Sequence, residues 1–141
     1  MIIADVITKS TEETERVAEE FAKSLVSGDF IAMYGTLGAG KTAFVRGLAK
    51  TVAPEAFVHS PTYTVVNEYA GKDFNLCHFD MYRITDEDDL YSTGFYDYSD
   101  CVIAVEWSEL IPYALPKKYY KVTINKCDDC EQRHIVIETV E

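Results

Sequence analysis

Residues 30–42 read FIAMYGTLGAGKT. The first six form an unbroken apolar run closed by a glycine, the pattern of a strand buried on both faces of a parallel sheet. From Lys41 onward, KTAFVRGLAKTV (41–52) places Phe44, Val45 and Leu48 on one face of a helix that Pro54 closes. Between the two elements, GTLGAGKT (35–42) matches G-x-x-x-x-G-K-[ST] through Gly35, Gly40, Lys41 and Thr42. Three glycines in eight residues would suit an ordinary tight turn equally well. A strand before and a helix after favour a phosphate-binding loop. In such a loop successive backbone N–H groups turn inward around the phosphates, and the helix N-terminus adds its positive end. Lys41 would then reach the β- and γ-phosphates, and the Thr42 hydroxyl would bind Mg²⁺.

Binding alone does not hydrolyse, so acidic groups for metal and water are needed. Asp80 ends the apolar NLCHF stretch and Glu106 ends CVIAV. Ligands of open α/β sheets gather at the carboxyl ends of strands, so both carboxylates are expected to face the phosphates. Together with Lys41 they are the candidate catalytic residues.

The remaining chain fits around this core. Residues 2–7 read as a short strand, and Ser10 with Glu13 as a capping box opening a helix to about Val26, with Val17, Phe21 and Leu25 inward. TYTVVNEY and DFNLCHFDMY alternate about Gly71-Lys72 as a hairpin, and DEDDLYSTGF is an acidic, loosely helical segment. YYKVTIN and RHIVIETV read as two alternating strands joined by a short turn. The expectation is one α/β domain over 1–141, a P-loop NTPase-like three-layer fold with a parallel nucleotide-binding core and added antiparallel strands.

Composition narrows the function. With 24 acidic against 13 basic residues and a net charge of −11, the surface opposes tight nucleic-acid binding, which depends on Lys and Arg contacts to phosphate. Charged residues interrupt every apolar run short of a membrane span, and MIIADVITKS has neither the basic leader nor the apolar core of a signal peptide. A cytoplasmic protein is expected. Cys77 and Cys101 sit in apolar strands as reduced core residues. Cys127 and Cys130 form a C-x-x-C without a matching second pair, which reads as a hairpin turn rather than a zinc or redox site. Asn125-Lys126-Cys127-Asp128 spells the N-K-x-D used to read guanine, but only 13 residues follow it and no D-x-x-G is present, so it too reads as a turn. Four scattered arginines give no lid for a small-molecule kinase.

Four stretches resemble the TsaE (YjeE) family, the ATPase component of bacterial tRNA threonylcarbamoyladenosine synthesis. They are GTLGAGKTAFVRGL, SPTYTVVNEY (60–69), HFDMYRI (78–84) and VEWSE (105–109), with an echo in QRHIVIE. The resemblance implies ATP and Mg²⁺ as cofactors, with Gly38, Ala39, Gly40, Lys41, Thr42 and Ala43 lining the phosphates. It implies Thr42 and Glu106 on the metal, and Asp80 near the γ-phosphate. Thr62 would act in a Ser60-Pro61-Thr62 switch, and Arg133 with the start of the first helix would flank the adenine. Arg83 and Trp107 would support the site or a partner surface, while His78 reads as a satisfied strand-end histidine. The implied activity is an ATPase weak by itself, working with TsaD and TsaB while tRNA is held elsewhere. A switch module acting through its bound state is the alternative.

Overall fold

The computed structural model describes residues 1–35, 40–61 and 64–141. One mixed sheet of seven strands organises them, in the order β1-β7-β6-β2-β5-β4-β3. The strands are β1 (Ile2–Thr8), β2 (Phe30–Gly35), β3 (Val66–Tyr69), β4 (Asn75–Asp80), β5 (Cys101–Glu106), β6 (Tyr119–Lys126) and β7 (Arg133–Val140). The four central strands β4, β5, β2 and β6 run parallel, while β3, β7 and β1 are antiparallel to their neighbours. Their burial follows that arrangement. β2 and β5 are apolar on both faces, whereas outer β1 is largely exposed. The expected hairpin of β6 and β7 is present, but β6 also pairs in parallel with β2, from Ile31↔Tyr120 to Gly35↔Ile124. It is a member of the parallel core rather than an antiparallel addition to it.

Two helices cover one face, α1 (Thr11–Ala22) and α2 (Lys41–Val52). Phe21, Phe44, Val45, Leu48 and Val52 pack there on Ile31, Met33, Leu76, Val102, Val122 and Ile124. α1 stops four residues before the expected Val26. Lys23, Ser24 and Leu25 donate to carbonyls three residues back, so the chain tightens into a 3₁₀-like turn that still buries Leu25. At its start the Ser10 side-chain oxygen accepts the Glu13 N–H at 3.1 Å. The Glu13 carboxylate reaches Lys9 N–H instead of Ser10 N–H, so the expected capping box is only half formed. The two helices touch closely at Gly47, where a Cβ would lie 2.2 Å from the Glu15 carbonyl oxygen.

The opposite face is covered by α3 (Glu87–Ser92) and by 3₁₀ turns at 95–97, 108–110 and 112–114. Leu90, Phe95 and Ile111 close over Phe30, Cys77, Phe79 and Val105. At the sheet margin the Met1 ammonium donates to Thr139 O at 2.9 Å and Thr139 N–H returns a bond to Met1 O at 2.9 Å. Among the described residues no helix is long and apolar enough to cross a membrane.

Candidate functional site

Strand alternation sets the site. On β4 the even residues Leu76, His78 and Asp80 face α2, and on β5 so do Val102, Ala104 and Glu106, while Cys77, Phe79 and Val105 face the other layer. The parallel register pairs Asp80 with Glu106 as the last residues of their strands. Both carboxylates therefore stand at one sheet end, only 5% and 6% exposed. A buried carboxylate needs a hydrogen-bond donor or a cation nearby. Asp80 Oδ1 accepts the Tyr82 N–H at 2.9 Å, and Glu106 Oε2 lies 2.5 Å from His78 Nε2.

α2 points its N-terminus at the same end. Gly40 forms its N-cap with φ +98°, in the left-handed region that glycine enters without strain. Lys41 follows, buried, its Nζ donating to Gly35 O at 3.5 Å and lying 4.8 Å from the centre of the Trp107 ring. Trp107 is held at φ +60°, ψ +40°, uncommon for a bulky residue, and leans on Tyr82 with ring centres 5.0 Å apart. Val65, at φ +70°, is a β-branched outlier bonded to the Asp80 backbone, fixed by bonds from its N–H to Pro61 O and from Asp80 N–H to its own carbonyl.

One cavity of about 370 Å³ opens here, lined by Lys41, Thr42, Asp80, Glu106, Trp107 and Arg133 and also by Thr11, Arg46 and Ser60. A second hollow of about 300 Å³ shares Thr11, Gly40, Ala43 and Arg133 with it and extends over the start of α1 to Cys130 and Glu131. Arg133 thus lies between the two. Its Nη1 donates to the carbonyls of Cys130 and Gln132, both at 2.8 Å.

Of the residues named from sequence, Gly40, Lys41, Thr42, Ala43, Asp80, Glu106 and Arg133 line these two hollows. Gly38, Ala39 and Thr62 lie outside the described residues. Trp107 is half-buried against Lys41, at the cavity rather than deep in the core, and Arg83 is exposed on the turn after β4. Asn125 and Lys126 end β6, and Cys127 N–H bonds to Gln132 O, so N-K-C-D belongs to the hairpin. Among the described residues no cluster of three or more His, Cys, Asp or Glu forms, and Cys127 and Cys130 are free thiols.

His78 departs from its sequence reading. It is fully buried, its Nε2 bonds to Glu106, and its Nδ1 has no hydrogen-bond partner among the described residues. Leaving a buried polar group unpaired costs about 1–3 kcal/mol, so an apolar side chain would serve the core better. Sequence could not show the pairing, because 28 residues separate the partners and only sheet register joins them.

A family model described as threonylcarbamoyl adenosine biosynthesis protein TsaE matches residues 8–135. The chain belongs to the TsaE family. The TsaE of Bacillus subtilis is 35% identical over 133 residues, covering 94% of this chain and 84% of the relative. The TsaE of Aquifex aeolicus is 42% identical over 114 residues, covering 77% and 79%. The crystal structure of Bacillus subtilis YdiB superposes with a TM-score of 0.76 at 29% identity, covering 99% of this chain and 87% of that one. This TsaE-family protein therefore has the P-loop type of α/β fold and a role in tRNA threonylcarbamoyladenosine biosynthesis.

Proposed function

We propose that this TsaE-family protein binds ATP with Mg²⁺ and hydrolyses it, cycling nucleotide against partners resembling TsaD and TsaB. One observation carries the reading. A buried Asp80–Glu106 pair, at the carboxyl ends of adjacent parallel strands, shares a cavity with Lys41 and Thr42 at the start of α2. The donor set suits magnesium, which keeps several waters and takes one or two protein oxygens beside phosphate oxygens. Thr42 and Glu106 would hold it. Bound there, the ion would neutralise charge on the transferring phosphate.

The chain's own groups do the rest. Lys41 would leave the Gly35 carbonyl and Trp107 ring to hold the β- and γ-phosphates as a fixed point charge. Asp80, kept in place through the Tyr82 N–H, would orient the attacking water. Arg133 and the start of α1 would flank the base in the adjoining hollow, and Thr62 would respond to the γ-phosphate. The acidic surface leaves tRNA to the partner proteins.

The test is turnover of ATP and of GTP, with and without the two partners, for the wild type, Asp80→Asn and Glu106→Gln. Both variants are expected to bind ATP but lose at least about a hundredfold in turnover, the scale of a lost catalytic group. They should also fail to support tRNA modification. Modification that persists without hydrolysis would favour action through the bound state alone, and a preference for GTP would contradict the ATP assignment.

A further inference from the structure

We propose that His78 is a positioning residue for the metal site: it fixes one oxygen of Glu106 so that the carboxylate offers the other to the ion. The inference rests on the reading of Glu106 as a metal ligand. It goes further by giving work to a side chain outside the cavity lining.

Three observations support it. His78 sits on the same sheet face as Glu106, opposite Ala104 and two pairs below the Asp80–Glu106 rung, so its ring reaches the carboxylate diagonally across two parallel strands. The contact joins Nε2 to Oε2 at 2.5 Å, and a carboxylate that is to hold a metal ion only accepts, which puts the proton of this bond on Nε2. Among the described residues the other nitrogen has no partner, and Glu106 is the one polar group that orients the ring. A histidine kept as core filler would give up nothing by becoming phenylalanine. A histidine kept for Glu106 must present Nε2–H and nothing more.

The chemistry follows from the geometry. An unrestrained carboxylate rotates about its last torsion and can chelate an ion through both oxygens. With Oε2 held by His78, Glu106 has only Oε1 for a metal or its water. That enforces single-oxygen ligation of a small octahedral ion and leaves its remaining positions to water and phosphate. Groups that orient a metal ligand from behind commonly change affinity about 10–100-fold when removed.

The experiment measures Mn²⁺, a paramagnetic substitute for Mg²⁺, binding to the full chain with a non-hydrolysable ATP analogue, by the loss of free-ion resonance signal. His78→Phe and His78→Asn are expected to weaken Mn²⁺ about tenfold, because asparagine places its amide near the Nδ1 position and not near Nε2. His78→Gln can place an N–H near Nε2 and is expected to restore affinity close to the wild type. Metal-free analogue binding should stay unchanged in all three. In a Glu106→Gln background, His78→Phe should have no further effect on Mn²⁺. Should His78→Phe prove too unstable to purify, the contrast between asparagine and glutamine decides. Equal Mn²⁺ affinity in the asparagine variant and the wild type, or equal loss in asparagine and glutamine, overturns the inference. A wild type that takes up neither analogue nor Mn²⁺ instead removes the nucleotide-site reading on which it rests.

Discussion

Gly47→Ala sets two effects of opposite sign against each other. In an open helix the change is stabilising by about 1 kcal/mol, since alanine is the better helix former and restricts the unfolded chain. Gly47 is not in the open. A Cβ there would stand 2.2 Å from Glu15 O and 2.6 Å from Ala18 Cβ, against 3.4 Å or more for ordinary contact. The oxygen belongs to the α1 backbone and cannot swing aside as a side-chain tip would, so the helices must part by about 1 Å, as the shortfall from 3.4 Å shows. Overpacking of this kind costs about 1–3 kcal/mol, and a backbone clash belongs in the upper half of that range. The net expectation is a loss of about 1–2 kcal/mol after the propensity gain is subtracted. For a chain of this size that lowers Tm by roughly 3–8 °C. Urea unfolding followed by far-UV circular dichroism should show a lower midpoint at unchanged slope. The displacement should also reach function, because α2 carries Lys41 and Thr42 at its N-terminus, so ATP affinity should fall as well. A variant more stable than the wild type would refute the reasoning, since it would mean that the helices do not meet at Gly47.

Two further expectations follow from single contacts. Trp107 is the one tryptophan of the chain and lies under Lys41, so Mg-ATP that draws Lys41 away should change intrinsic fluorescence, and Lys41→Met should abolish the nucleotide-dependent change. Burial, and then the hydrogen bond with Cys101, push the Cys77 thiol well above the ordinary range, and Cys101 is also raised, chiefly by burial. Both are buried and thiolate is disfavoured at each, so iodoacetamide and mass spectrometry should find Cys127 and Cys130 modified in the native protein, and all four thiols modified only in denaturant.

The sequence reveals most where local chemistry and tertiary position agree. β2, α2 and β5 have the bounds their apolar runs, glycine and proline predict, because each is buried and punctuated by its own residues. Asp80 and Glu106 were legible as strand ends, and register then made them neighbours. Less legible were features depending on long-range pairing. β6 alternates like a strand with one exposed face, yet lies beside β2, because alternation says nothing of which neighbour a strand joins. Arg133 meets Gly40 across more than ninety residues, and His78 meets Glu106 only through the parallel rung above it. The early end of α1 reflects competition within its last turn, where shorter-range carbonyl bonds capture Lys23, Ser24 and Leu25.

The bonds between Met1 and Thr139 carry a practical consequence. Thr8 pairs with Arg133 beside the cavity while Ile2 pairs with Glu138, so Met1 and Thr139 meet at the pole of the sheet remote from the cavity. A few-residue bridge could splice them, and fresh ends could be opened at the Gly71-Lys72 bend. Such a rewired polypeptide should keep its ligand chemistry, and fluorophores or affinity handles fused at the original ends should leave the mouth of the cavity unobstructed.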